Sequence, residues 1–197
     1  MGVLDHFHGR LGHGHWKAYL QFNCTHFLCN AQDRRELECA AEQDGQRWAG
    51  AIKELLLSMN EAIDRAGGCL ETAPAEDFDS RYRRILTEGE LESPAAPPPN
   101  SDGKRAAQSR SRNLLGRLRD FETEALRLMT DLLVAFTNNR VENDLRMTTV
   151  QQKISSCHRS SECAQIFARI CSYLSTCQER AIHATEAAQS LIPRTAA

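Results

Sequence analysis

Trp48, Ile52, Leu55, Met59, Ile63 and Ala66 recur at intervals of three and four residues, so one face of a helix is apolar there. The helical pattern begins at Asp33, and Gly67-Gly68 is the expected stop. A shorter helix is expected from Phe78 to Leu91. A second long stripe, Leu114, Leu118, Phe121, Ala125, Leu128, Leu132 and Phe136, predicts one continuous helix of more than six turns. Thr137-Asn138-Asn139 breaks it, and either asparagine is a suitable N-cap for a helix over about 140–152. Ser160 or Ser161 caps the next, about 162–178, with Ala164, Phe167, Cys171 and Leu174 facing inward. A last helix runs to about Leu191, before Pro193. Ahead of all these, Val3-Leu4 and Phe27-Leu28-Cys29 suggest short strands. Four of the six prolines fall between Pro94 and Pro99, which makes 93–107 a flexible, solvated loop. No internal repeat is present. The fold class expected is α/β, mostly helical.

Composition narrows the class. The 197 residues are enough for one domain, and 41% hydrophobic with 25% charged residues is ordinary for a globular chain. The formal net charge of -2 excludes a polycation, so any nucleic-acid contact needs a local patch. Residues 36–92 hold 14 acidic and 6 basic side chains, a net of -8. Residues 104–119 hold six basic ones (Lys104, Arg105, Arg110, Arg112, Arg117, Arg119) and no acid. Such a stretch is able to neutralise phosphates, but charge alone favours a solvated face that balances the acidic segment. No run reaches the ~20 apolar residues of a membrane span. The first fifteen residues carry four histidines and no apolar signal core, so a cytoplasmic chain with no membrane partner is expected. Its eight cysteines are then expected to stay reduced. No C-x-x-C occurs; the nearest metal-like spacing is Cys24, His26 and Cys29, which leaves a zinc-binding structural protein as one alternative.

At Phe136-Thr-Asn-Asn-Arg-Val-Glu-Asn-Asp-Leu-Arg-Met147 the chain resembles the C-terminal motif of the insertion sequence sixty-six family of bacterial transposases, F-x-N-N-x-A-E-R-D-L-R-M. Val150 to Ser155, His158-Arg-Ser160, Phe167 to Ile170 and Ser172-Tyr-Leu-Ser-Thr176 continue the resemblance. Upstream, Cys24 to Ala31 and Arg35-Glu-Leu37 resemble the stretch around that family's second catalytic aspartate. Arg81-Tyr82 and Arg112-Asn-Leu-Leu115 resemble its helical insertion. The likeness extends from about Phe7 to Leu191.

The resemblance implies a ribonuclease-H-like core with an Asp-Asp-Glu triad, acting on DNA through Mg²⁺ or Mn²⁺. Two-metal phosphoryl transfer clamps the attacking and leaving oxygens between cations about 3.5–4 Å apart, and hard cations take oxygen ligands. The third acid corresponds to Glu142, the metal-ligand candidate. The second corresponds to Gly14 within Gly12-His-Gly-His-Trp-Lys-Ala-Tyr19, where the family motif is x-H-D-x-W-x-x-Y. Glycine supplies no ligand atom. The first aspartate is expected to lie upstream of residue 1. Gln32 stands where histidine is usual, and Asn143 where arginine is usual.

On this reading the chain is one partial catalytic domain, 1–197. A helical insertion occupies about 33–113, and C-terminal helices over 137–192 carry the third acid. One acid of three does not hold two cations, so a catalytically inactive, truncated transposase is expected, with no cofactor bound productively. DNA at insertion-element ends is the implied partner, through Lys104, Arg105, Arg110, Arg112, Arg117, Arg119, Arg140 and Arg146. Arg140 and Arg146 are equally suited to ion pairs with Glu142 or Asp144. An unpaired strand edge left by truncation favours self-association. A non-catalytic module that binds DNA or a full-length transposase is the other alternative. Trp16 and Tyr19 are expected as core or rim aromatics, and His6, His8, His13 and His15 as scattered solvent-facing side chains.

Overall fold

The computed structural model describes residues 6–95, 107–155 and 157–190. The expected Val3-Leu4 strand, most of the 93–107 loop and Pro193 lie outside them. The chain divides into two compact units, Met1–Asn138 and Asn139–Ala197.

In the first unit, strands β1 (Arg10–His13) and β2 (Thr25–Leu28) form a parallel pair in which Arg10 faces Thr25 and His13 faces Leu28. Five helices follow: α1 (Asn30–Glu42), α2 (Arg47–Ala66), α3 (Thr72–Glu92), α4 (Arg110–Asp120) and the short α5 (Glu122–Leu126). The described residues are thus mostly helical with a small two-stranded sheet, as the sequence pattern predicts. The α2 stripe is buried from Trp48 through Ile52, Leu55, Leu56 and Met59 to Ile63, while Ala66, its last expected member, is exposed. It packs on α1 through Leu37 and Ala40, and on α3 through Phe78, Tyr82, Ile85 and Leu86. Leu114, Leu115 and Leu118 of α4 close the same core. At the far end of α2, Gly67 takes the left-handed conformation (φ 81°) and Gly68 donates its N–H to the Ile63 carbonyl, as a glycine stop does.

The start of α2 has no side-chain cap of its own. The Glu92 carboxylate, from the last turn of α3, accepts the N–H groups of Arg47 (2.8 Å) and Trp48 (3.2 Å). Those two donors hold its carboxyl below the usual carboxylate range. Trp48 Nε1 donates to Gln46 Oε1 and to Ser93 Oγ, which fastens the same corner.

The structure corrects several expectations. The strand expected at Phe27 to Cys29 is Thr25–Leu28, and β1 carries no periodicity that announces it. The helix expected over 78–91 starts six residues earlier, at Thr72. The continuous helix over 114–136 does not form. It breaks at Phe121 (φ -118°, ψ 31°), resumes as α5, tightens to a 3₁₀ turn over Arg127–Met129 and ends. The cause is tertiary. Tyr82 Oη donates to the Leu118 carbonyl (3.0 Å) and Asn30 Nδ2 to the Ala125 carbonyl (2.9 Å). Both oxygens would accept the i+4 amide in an uninterrupted helix. Leu132 consequently leaves the stripe and is exposed.

The second unit contains α6 (Asn139–Ser155), α7 (Ser161–Glu179) and α8 (Ala184–Ser190). Ser160 caps α7 as expected, its Oγ accepting the Cys163 N–H at 3.1 Å. Tyr173 Oη donates to the Ala187 carbonyl, which ties α8 to α7. Of the four positions expected to face inward on α7, Ala164, Phe167 and Cys171 are half-buried, while Leu174 is exposed; Cys177, one turn further on, is the buried one. Leu145, Val150 and Ile154 of α6 and Ile166 and Ile170 of α7 are also exposed. No helix among the described residues is long and apolar enough to cross a membrane.

Tyr82 is fully buried, and burial pushes its phenol well above the usual range, so it remains a donor. Tyr82→Phe leaves the Leu118 carbonyl unsatisfied in the core. The expected loss is about 1–2 kcal/mol, read as a lower urea midpoint at unchanged slope.

Candidate catalytic site

The end of β1 and the first turn of α1 form one structural junction. Beyond the last strand pair, Cys29 N–H donates to the His13 carbonyl at 3.2 Å, and α1 begins at the next residue. One helical turn then brings the chain back over the strand end. Gln32 lies over Gly14 and Asp33 over His15. A Cβ built on Gly14 would stand 2.6 Å from Gln32 Cδ and 2.9 Å from Nε2, with Oε1 closer still. The space a side chain at residue 14 would use is therefore held by the Gln32 carboxamide.

The adjacent pair is a hydrogen bond. His15 Nε2 and Asp33 Oδ1 are 2.7 Å apart, with both side chains buried. His15 adopts a left-handed backbone (φ 51°), uncommon for a residue with a Cβ, and its ring meets the Phe121 ring edge-on at 5.7 Å. Asp33 is wholly buried, and its Oδ2 has no hydrogen-bond partner among the described residues. Neither residue stands out in the sequence. The available signal was an acidic residue in the first turn of a helix directly after a strand.

His13 faces the interior on the same strand. His26 Nε2 is 3.0 Å from the Phe22 carbonyl and so carries the proton, leaving its Nδ1 as the acceptor. His13 Nε2, 3.2 Å from that Nδ1, is then the donor. Burial, with the nearby His26 and His15, lowers the His13 pKa to about 4. The expectation of solvent-facing histidines holds for His6 and His8 and fails for His13 and His15, because the β1–α1 junction encloses the latter two.

Glu142 is exposed in the first turn of α6, in the second unit, whereas Gly14 belongs to the first. Arg146 is exposed; the side chain of Arg140, and Lys104 and Arg105 entirely, lie outside the described residues. Arg110 is exposed at the start of α4. The other three arginines of that helix meet the acidic segment. Arg112 reaches Glu90 (3.3 Å) and the Ser93 carbonyl (3.1 Å), Arg119 pairs with the same Glu90, and Arg117 pairs with Glu36. Arg119 and Arg112 together hold the Glu90 carboxyl below its ordinary value.

Cys24 Sγ lies 3.8 Å from His26 Nε2, but the Cys29 thiol meets Thr137 Oγ1 and accepts the Asn138 N–H. Among the described residues no group of three His, Cys, Asp or Glu side chains is placed to hold a metal ion. Trp16 is a rim aromatic, 63% exposed and edge-on to Tyr19.

Comparison with protein families gives a match to the family described as Transposase IS66 family, over residues 2–166. Neither the curated proteins nor the solved structures give a match.

His13 stays neutral in the folded chain down to about pH 4, while the unfolded chain protonates near 6.5. Between those values the unfolded state binds the extra proton, so stability falls as pH drops from about 6.5 to 4. His13→Asn is expected to flatten that part of the profile. Urea midpoints of both proteins between pH 7 and 4 check this; parallel profiles would refute it.

Proposed function

The chain belongs to the IS66 family of transposases, and from that membership we propose that it is a transposition protein whose own strand-cleaving and strand-joining chemistry is lost. The observation that carries the reading is Gly14. Its surroundings, Gly12-His-Gly-His-Trp-Lys-Ala-Tyr19, resemble the family's second-acid motif, it has no side-chain ligand atom, and the Gln32 carboxamide fills the space beside it. Two divalent cations held a few ångströms apart need carboxylates shared between them. Asp33 does not replace the missing one, because one of its oxygens is bound to His15 and the side chain is sealed from solvent. The ligand set at this junction therefore does not fit a metal pair.

In this proposal β1 and β2 are remnants of a ribonuclease-H-like sheet. Residues 33–113, containing most of α1, all of α2 and α3 and the start of α4, are the helical insertion, and 137–192 are the helices that bring the third acid, Glu142. DNA remains the partner that family membership suggests. Arg112, Arg117 and Arg119 are engaged with Glu90 and Glu36, so phosphate contact falls more to Lys104, Arg105, Arg110, Arg140 and Arg146. A second reading, a non-catalytic module that associates with a full-length transposase, is favoured by the apolar side chains exposed on α6 and α7.

The test is direct. Incubated with Mg²⁺ or Mn²⁺ and DNA carrying the element ends, the purified chain is expected to yield neither nicked nor joined product. Metal-dependent product that disappears in Glu142→Gln would overturn the proposal.

A further inference from the structure

We infer that Trp16 and Lys17 form a contact for an unpaired base of single-stranded DNA, an assignment that rests on the reading of DNA as this chain's partner. The indole stacks on the base, and the ammonium meets the adjoining backbone phosphate. Trp16 is 63% exposed, whereas the other tryptophan, Trp48, is buried. Single exposed apolar side chains are common on protein surfaces. Trp16 differs from them in how firmly it is held. Tyr19 N–H donates to the Trp16 carbonyl at 3.0 Å, at the start of a 3₁₀ turn over Lys17–Gln21. The Tyr19 ring also meets the indole edge-on, with centroids 5.1 Å apart and planes at 85°. Tyr19 is braced in turn by the ring of the buried His13, at 5.4 Å, and His13 by that of His26, at 5.3 Å. A line of rings thus connects the interior to the exposed indole. An edge-on neighbour leaves at least one indole face open. A ring already fixed in place loses little conformational freedom when a flat ligand settles on it.

The surrounding charge selects the ligand. From His6 to Gln32 the chain has no aspartate or glutamate, while Arg10 and Lys17 are basic. Arg10 is paired with Asp131 at 2.6 Å. Lys17 is exposed and makes no ion pair among the described residues. In α4, by contrast, Glu36 and Glu90 engage three of the arginines. An aromatic face beside an unopposed cation matches a nucleotide, whose base offers a π surface and whose phosphate offers the negative charge. A base inside a duplex is already stacked on its neighbours, so the contact requires an unpaired one. Trp16 lies two residues beyond Gly14, so a strand stacked on it runs beside the β1–α1 junction.

Two measurements test the contact, both without metal and with oligonucleotides of arbitrary sequence. A bound single strand carrying 5-iododeoxyuridine is irradiated, which joins the uracil to an aromatic ring stacked on it with loss of hydrogen iodide. Mass spectrometry is expected to place the adduct on Trp16; an adduct confined to other residues would overturn the proposal. Filter binding then compares a single strand with a duplex. Trp16→Leu is expected to weaken single-strand binding about tenfold and to leave duplex binding and the urea midpoint unchanged. Trp16→Phe is expected to recover part of the loss. Lys17→Gln is expected to keep the adduct and to reduce the slope of log Kd against log salt by about 0.7, the share of one single-strand phosphate. Single-strand binding that is undiminished in Trp16→Leu, or that falls equally with duplex binding, removes this contact and leaves DNA as the partner. Failure of both DNA forms to bind at low salt removes the DNA reading and the contact together. The nicking assay bears on neither.

Discussion

The amide of Cys29 donates to the carbonyl of His13, and that bond carries the parallel pairing one residue beyond the strands before the chain turns into α1. With two short strands among the described residues, the sheet has little pairing to spare. This one contact nevertheless decides which helical residues stand over which residues at the end of β1. A start of α1 one residue later would rotate its first turn by about 100°, and Gln32 and Asp33 would no longer meet Gly14 and His15. The buried histidines, the enclosed Asp33 carboxylate and the filled space at residue 14 all descend from that register. The same junction reaches the far side of the core, because Asn30, the first residue of α1, holds the Ala125 carbonyl and so takes part in breaking the long helix.

Within the first unit, the basic helix α4 is matched against acidic side chains. The acidic segment and the basic helix α4 are far apart in the chain but adjacent in space, so Glu36 and Glu90 neutralise three of the four α4 arginines. Exposed ion pairs contribute little stability each. Their larger effect is to reduce the local positive potential that an unpaired run of arginines would present to a phosphate backbone.

The sequence was most informative where one periodicity met one stop signal. In α2 the apolar spacing and the Gly67 end agree, and the structure follows both. It was misleading from Leu114 to Phe136, where a faultless helical stripe is cut because Tyr82 and Asn30, remote in sequence, take two of its carbonyls. Local pattern contains no information about such distant donors. At the candidate site, the contact of Gln32 with Gly14 was not readable, since a residue just past a strand and a helix residue 18 positions further on become neighbours only through the fold between them. Asp33 escaped for the opposite reason. An acidic residue in a helix's first turn is ordinarily a solvated one, and only the His15 contact marks it as interior.

The division into two units has an optical consequence. Both tryptophans, the buried Trp48 and the exposed Trp16, lie in the first unit, and the second has Tyr173 alone among tyrosines and tryptophans. Intrinsic emission excited at the red edge therefore follows the first unit and is silent about α6 to α8. A fluorescence melt can pass through a single clean transition while the helices bearing Glu142 have already frayed, and far-ultraviolet dichroism is needed beside it to see them.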